Sequence, residues 1–185
     1  MEHFLKIDGV IAAQTHKIEP AFRSILEEFS TIVEIGFDRG ALTLWLHRNK
    51  KDNTKLVSYD ISFDNKMIHD NQIDFRRGNC FESSIVEEIK SLINLPGKTL
   101  VLCDGGNKEA EFELFSQFLK TGDVIMLHDY SHSLEDYEQV MKNTGWKTPA
   151  ESHFSNIQNT VIKYNLKSYH YNMFKNVLWG SFIKL

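Results

Sequence analysis

Five short runs rich in β-branched and aliphatic residues punctuate the chain: Thr31 to Ile35, Leu56 to Ile61, Ile73 to Arg76, Thr99 to Cys103 and Val124 to Leu127. Between them the apolar residues fall at helical spacing, so strands and helices alternate. That rhythm belongs to an α/β fold, a parallel sheet covered on both faces. Of the 185 residues 42% are hydrophobic, which suffices for one sizeable core and little beyond it. No fixed-period repeat and no Pro/Gly/Ser-rich linker divides the chain, so a single domain over 1–185 is expected.

Two of the covering helices have readable ends. Ser84 followed three residues later by Glu87 has the pattern of a capping box, and Ile85, Val86, Ile89, Leu92 and Ile93 then form one apolar face that Pro96-Gly97 ends. In the next helix Glu109, Glu111 and Glu113 suit the positive N-terminal end, while Phe112, Leu114, Phe115, Phe118 and Leu119 supply apolar surface. After the fifth strand the spacing predicts a helix over Leu134 to Asn143 and another around Asn156 to Tyr164. The tail reads as an aromatic hairpin, Tyr169 to Phe174 and Val177 to Lys184, which closes the sheet with an antiparallel strand. Trp45 is expected to pack the first helix onto the sheet, and Trp146 and Trp179 to serve as core or as walls of an acceptor pocket.

Charge and hydropathy narrow the partners. With 21 Lys and Arg against 25 Asp and Glu the formal charge is -4, so no global positive field exists to hold nucleic acid or an anionic membrane. No apolar stretch reaches spanning length and the N-terminal segment lacks a signal-peptide core, from which a cytoplasmic protein is expected. Cys80 and Cys103 form neither a CxxC nor a metal spacing and read as buried thiols.

The strongest local signal is Val33-Glu34-Ile35-Gly36-Phe37-Asp38-Arg39-Gly40, a strand ending in ExGxxxG that runs into the helical segment Ala41 to His47. Glycines at a strand-to-helix turn permit unusual dihedrals and let a ligand approach the backbone closely. A dinucleotide site would prefer GxGxxG; here the middle glycine is missing, and the Glu34 carboxylate would repel a pyrophosphate while helping to hold a cationic or neutral ligand. The plain alternative is a tight turn with no ligand. Asp60 ends the next strand, about 20 residues on, where a carboxylate can accept hydrogen bonds from ribose hydroxyls.

From Ile32 to Tyr130 the chain resembles the class I S-adenosylmethionine-dependent methyltransferases: VEIGFDRG, SYD, RRGNC, LVLCDGG and GDVIMLHDY follow in the family's order. Within that superfamily the DGG and HDY segments are similar to a small-molecule O-methyltransferase branch that includes cephalosporin hydroxylase-like and macrolide sugar methyltransferase relatives. The resemblance implies a Rossmann-like, mostly parallel seven-stranded sheet with an antiparallel C-terminal strand. It also implies S-adenosylmethionine as cofactor: Glu34, Gly36 and Gly40 along its methionine and ribose, Asp60 on the ribose hydroxyls, Asn79 and Cys80 at the adenine, and Asp104 near the sulfonium. Two positions depart from the family: Asn79 stands where many members have an acid, and Asn107 where the branch often has histidine. Gln14, in the entrance segment, is read as a cofactor contact or as part of a plain N-terminal loop.

Transfer to a neutral hydroxyl needs a general base or a metal ion that lowers the hydroxyl pKa. Asp104, His128 and Asp129 are the catalytic candidates. In one reading they hold a divalent metal, with Asp104 and Asp129 suited to Mg²⁺ and His128 to Mn²⁺ or Fe²⁺. In the other, His128 or His132 is the base and Asp129 orients it. A strand terminus whose side chains satisfy loop backbone is the structural alternative for His128-Asp129. The expected activity is methylation of a hydroxyl on a small-molecule acceptor such as a sugar, with no nucleic acid or membrane partner and with a homo-oligomer compatible with the sequence. A non-catalytic S-adenosylmethionine-binding module and an NAD-dependent oxidoreductase are the rival functions.

Overall fold

The computed structural model describes residues 4–144 and 150–185; Trp146 lies outside them. The chain begins with a hairpin, β1 (Phe4–Ile7) and β2 (Val10–Thr15), turned at Asp8-Gly9. Both turn residues have positive φ, 49° and 85°, as a two-residue hairpin turn demands. The N-terminal segment is therefore a hairpin, not the loop of one sequence reading, and Asp8-Gly9 between two apolar runs is the signal for it.

Next come α1 (Ile18–Leu26), β3 (Thr31–Ile35), α2 (Ala41–Asn49), β4 (Lys55–Asp60), β5 (Asp74–Arg77), α3 (Ser83–Ile93), β6 (Thr99–Cys103), α4 (Lys108–Ser116) and β7 (Val124–His128). They are followed by β8 (Tyr130–Ser131), α5 (Leu134–Thr144), β9 (Ser152–His153), α6 (Phe154–Lys163), β10 (Leu166–Ser168), α7 (Tyr171–Phe174) and β11 (Trp179–Lys184). Seven strands form the main sheet in the order β10-β11-β7-β6-β3-β4-β5. From β7 to β5 all neighbours are parallel, and β11 runs antiparallel to both β7 and β10. This is the mostly parallel sheet with an antiparallel C-terminal strand that the sequence led us to expect.

Alternation along the strands divides the core into two layers. Ile32, Leu56, Leu100, Leu102, Val124 and Met126 face the side packed by Phe22 and Ile25 of α1 and Trp45 of α2. Val33, Val57, Tyr59, Val101, Ile125 and Leu127 face the side packed by Ile89 of α3, Phe112 of α4 and Ile157 of α6. Strands β3, β6 and β7 are buried along their whole length, as a sheet covered on both faces requires.

Two local expectations are corrected. Helix α3 has Glu82 at its N-cap with no side-chain cap bond, because the Asn79 turn starts the helix at Ser83 and leaves Ser84 inside its first turn. In the tail, Tyr169 to Phe174 is not a strand: Leu166–Ser168 pairs with β11, and left-handed residues at His170 (φ 47°) and Leu178 (φ 59°) enclose the helical stretch between. No helix among the described residues is long and apolar enough to cross a membrane.

Candidate active site

The sheet order departs in opposite directions from β3 and β6, and the loops leaving the C-terminal ends of these strands part there, which is where open α/β sheets bind ligands. Two cavities open at this edge. The larger, about 440 Å³, is lined by residues of the loops after β3, β4, β5 and β6, among them Gly36, Asp60, Asn79, Cys80 and Asp104. The smaller, about 190 Å³, is lined by Gln14, Arg39, Lys108, His128 and Asp129 and shares Gly36, Asp38 and Asp104 with the larger.

Gly36 is required for two reasons. Its φ is 85°, and a Cβ there would collide with the backbone carbonyl of Asp104, since the end of β3 is pressed against the end of β6. The turn is fastened by Asp60, whose Oδ2 accepts from the backbone N–H groups of Phe37 and Asp38, each at 3.1 Å, while Oδ1 accepts from Ser62 at 3.2 Å. Asp60 therefore both lines the larger cavity and ties β4 to the glycine turn.

Glu34 and Gly40 depart from the expected cofactor contact, since neither lines either cavity. Glu34 is fully buried beneath the turn and accepts from Thr43 Oγ1 of α2 and Ser58 Oγ of β4, both at 2.5 Å. Its other carboxylate oxygen has no partner, and burial pushes its pKa up to about 7 against those two bonds. Gly40, at φ 83°, caps the start of α2 where a Cβ would press on Ile68 and Phe75. Both residues shape the turn from behind.

Also lining the larger cavity, Asn79 accepts the Phe81 N–H with its side-chain oxygen at 3.0 Å, and burial followed by the nearby Glu111 charge pushes the Cys80 thiol up to about 12. Ile61 and Phe81, 68% and 45% exposed, are apolar walls of the same cavity. Glu111 also faces it from α4 and accepts from the Gly105 and Asn107 N–H groups, holding the loop after β6; burial raises its pKa to about 7. Sequence reasoning assigned Glu111 only to the helix end, because nothing local shows a side chain turned back onto the preceding loop.

In the smaller cavity His128 Nδ1 lies 2.8 Å from Asp104 Oδ1 and 3.5 Å from Asp129 Oδ2. Asp104, not Asp129, is thus the carboxylate that holds the ring. Behind them the Trp179 indole N–H, a donor only, bonds Gln14 Oε1 at 2.9 Å, which leaves the Gln14 amide nitrogen to donate to Asp104 Oδ2 at 2.7 Å. Asp104 then accepts from both neighbours, with Nδ1 protonated and Nε2 the ring atom left for a ligand. Burial opposes the charged ring, but the Asp104 charge and hydrogen bond prevail and raise the His128 pKa above its ordinary value. Trp179 is core and also backs His128, with ring centroids 5.0 Å apart. His132 is bonded to Tyr130 Oη at 3.0 Å and packed on Phe154, and it does not line the cavity.

Lys108 completes this end. Its ammonium lies 3.2 Å from Asp129 Oδ2 and 2.7 Å from Glu151 Oε2, with only 9% of the side chain exposed. Asp129 itself has a positive φ of 53°, a conformation uncommon outside glycine and found preferentially at functional positions. The donor set of Asp104, His128 and Asp129 does not fit a resident divalent ion as it stands: Asp104 is shared between Gln14 and His128, and Asp129 is paired with a cation. Among the described residues no group of three or more His, Cys, Asp or Glu side chains is arranged to hold a metal.

No protein-family model matches the chain, and no curated protein matches it in sequence. Solved structures match its fold. The apo structure of CmcI aligns with a TM-score of 0.70 at 13% identity, over 97% of this chain and 76% of that one, and CmcI with Mg and SAM gives 0.68 at the same identity and coverage. A SAM-dependent methyltransferase from Archaeoglobus fulgidus aligns at 0.55 with 11% identity, over 89% of this chain and 90% of that one. The MycE methyltransferase of mycinamycin biosynthesis, in complex with Mg and SAH, aligns at 0.54 with 12% identity, over 92% of this chain and 48% of that one. The chain has the fold of S-adenosylmethionine-dependent methyltransferases.

Proposed function

We propose that the protein binds S-adenosylmethionine in the larger cavity and methylates a hydroxyl of a small molecule that enters the smaller one. The observation that carries this reading is the junction of the two cavities at Gly36, Asp38 and Asp104, with a nucleoside-like set of groups on one side and the Asp104–His128 pair on the other. On the first side Asp60 can accept ribose hydroxyls, Ile61 and Phe81 can flank a flat base, and Asn79 and Cys80 border its edge. S-adenosylmethionine supplies a sulfonium-bound methyl group, an electrophile whose departure leaves a neutral thioether.

The chain's own part is positioning and proton removal. Asp104 fixes the His128 ring with Nδ1–H toward itself, so Nε2 can take the acceptor proton as the new O–C bond forms, and the electron pair of the broken S–C bond stays on sulfur. Gln14 and Trp179 hold Asp104 in place for this. A neutral hydroxyl needs such a base, which is why a hydroxyl is the favoured acceptor, and the small second cavity suits a small molecule.

A metal-assisted variant draws on CmcI and MycE, whose structures contain Mg with SAM or SAH. The paired state of Asp104 and Asp129 favours the base over the metal here. The test is a labelled-methyl transfer screen over hydroxylated small molecules with and without EDTA. Transfer that survives EDTA supports the base; transfer abolished by EDTA and restored by Mg²⁺ contradicts it. Tight S-adenosylmethionine binding with no transfer to any acceptor would make the protein a non-catalytic binding module, and preferential NADH binding would make it an oxidoreductase.

A further inference from the structure

Lys108 is placed against the grain of its helix. It opens α4, where the helix dipole disfavours a cation, yet its ammonium is drawn inward to Asp129 and Glu151 and lines the smaller cavity beside Asp104 and His128. Burial works against its charge, and the Glu151 bond with the Asp129 and Asp104 charges more than restores it, so the group stays an ammonium. An ammonium has three donors; one is given to Glu151, while Asp129 lies 3.2 Å away as an ion pair. At least one donor is left for a ligand.

We propose that the Lys108 ammonium takes the place of a divalent ion at the acceptor end of the site. It holds an acceptor oxygen beside His128 and stabilises the negative charge that develops on that oxygen as its proton passes to His128 Nε2. Asp129 and Glu151 are positioning residues for Lys108, and the left-handed conformation of Asp129 directs the chain at this point. The role in transfer rests on the function proposed above, but the occupancy of the site by a built-in cation does not. A divalent ion would need the Asp129 oxygen that Lys108 already holds, and its two charges would stand against the resident ammonium.

Mn²⁺ binding, read by electron paramagnetic resonance and by calorimetry on the full chain, tests this directly. The wild-type protein is expected to bind Mn²⁺ weakly, and Lys108→Met to bind it at least roughly tenfold more tightly, because the variant frees the Asp129 and Glu151 carboxylates and removes a positive charge from a cavity that Asp38 and Asp104 also line. Adding Asp129→Asn to that variant should abolish the gain. Lys108→Gln is measured in parallel, with thermal melts of each protein, so that misfolding of one variant does not decide the result. Tight Mn²⁺ binding by the wild-type protein that is lost in Asp129→Asn overturns the proposal; so does a folded Lys108→Met or Lys108→Gln with no gain. S-adenosylhomocysteine titration of the same wild-type sample reports separately on the methyltransferase reading, so the two failures are distinguishable.

Discussion

The two cavities share three residues but are assembled in different ways. The larger draws every lining residue from positions 35 to 111, one βα turn after another, so each turn carries its share of the site in a short local pattern. The smaller gathers the N-terminal hairpin, the end of β7 and the start of α4, with the C-terminal strand behind; Gln14 alone reaches across 90 positions to Asp104 and 165 to Trp179. In the proposed function, nucleoside binding would belong to the sheet's crossovers, whereas the chemistry would need the N-terminal hairpin and the C-terminal strand brought against β7 and α4. The comparison predicts that lesions at Gln14 and His128 in the smaller cavity should lower transfer and leave cofactor binding nearly intact.

The sharpest break comes at His128. His128→Asn should lower methyl transfer by roughly 10²- to 10⁴-fold, the range for a lost general base, with S-adenosylhomocysteine affinity little changed. Because the His128 pKa is raised, the wild-type rate should climb with pH along a limb above the ordinary histidine value, and the loss of that limb in the variant is the diagnostic measurement. A parallel loss of cofactor affinity would show that the two cavities are not separable.

Gln14 sharpens the same comparison with a smaller effect. Gln14→Leu removes one of the two hydrogen bonds on Asp104 and should lower transfer about tenfold. Gln14→Glu, which adds negative charge beside the ring, should move the pH limb upward by favouring the imidazolium. A role confined to packing would leave the limb where it is in both variants.

The larger cavity's foundation gives an effect on stability, with none expected on the transfer step. Glu34 titrates near 7 in the fold against 4.5 ordinarily, so between those values the folded chain holds a proton that the unfolded chain has released. Stability from this group is complete below about pH 4.5 and falls as pH rises through 7, by on the order of 3 kcal/mol. Urea unfolding at pH 5 and pH 8 should therefore show a smaller pH dependence in Glu34→Gln than in the wild-type protein. An unchanged dependence would place the titration elsewhere.

Much of the larger cavity was legible in the sequence, because its parts are local. The glycine turn, Asp60 and the strand end at Asp104 all follow from strands read by pattern, and β3 and β6 have the expected limits. The same locality misled where a residue's partner is distant. Glu34 in a glycine motif looks like a ligand contact, but its strand points it into the core toward Thr43 and Ser58. Glu111 reads as an ordinary helix-end residue and Lys108 carries no signal of its own, and only the packing of α4 on the sheet turns them toward the site. Tyr169 to Phe174 has the aromatic content of a strand; the pairing with β11 is taken three residues earlier, by Leu166 to Ser168, which no spacing within the tail could reveal.

Calorimetric titration with S-adenosylhomocysteine, on the wild-type protein and on Asp60→Ala, tests the central claim most directly. We predict one site per chain in the wild type, affinity at least about tenfold weaker in Asp60→Ala once its hydrogen-bonding carboxylate is gone, and no comparable binding of NADH. Absence of S-adenosylhomocysteine binding in the folded wild-type protein, or binding indifferent to Asp60, would contradict it.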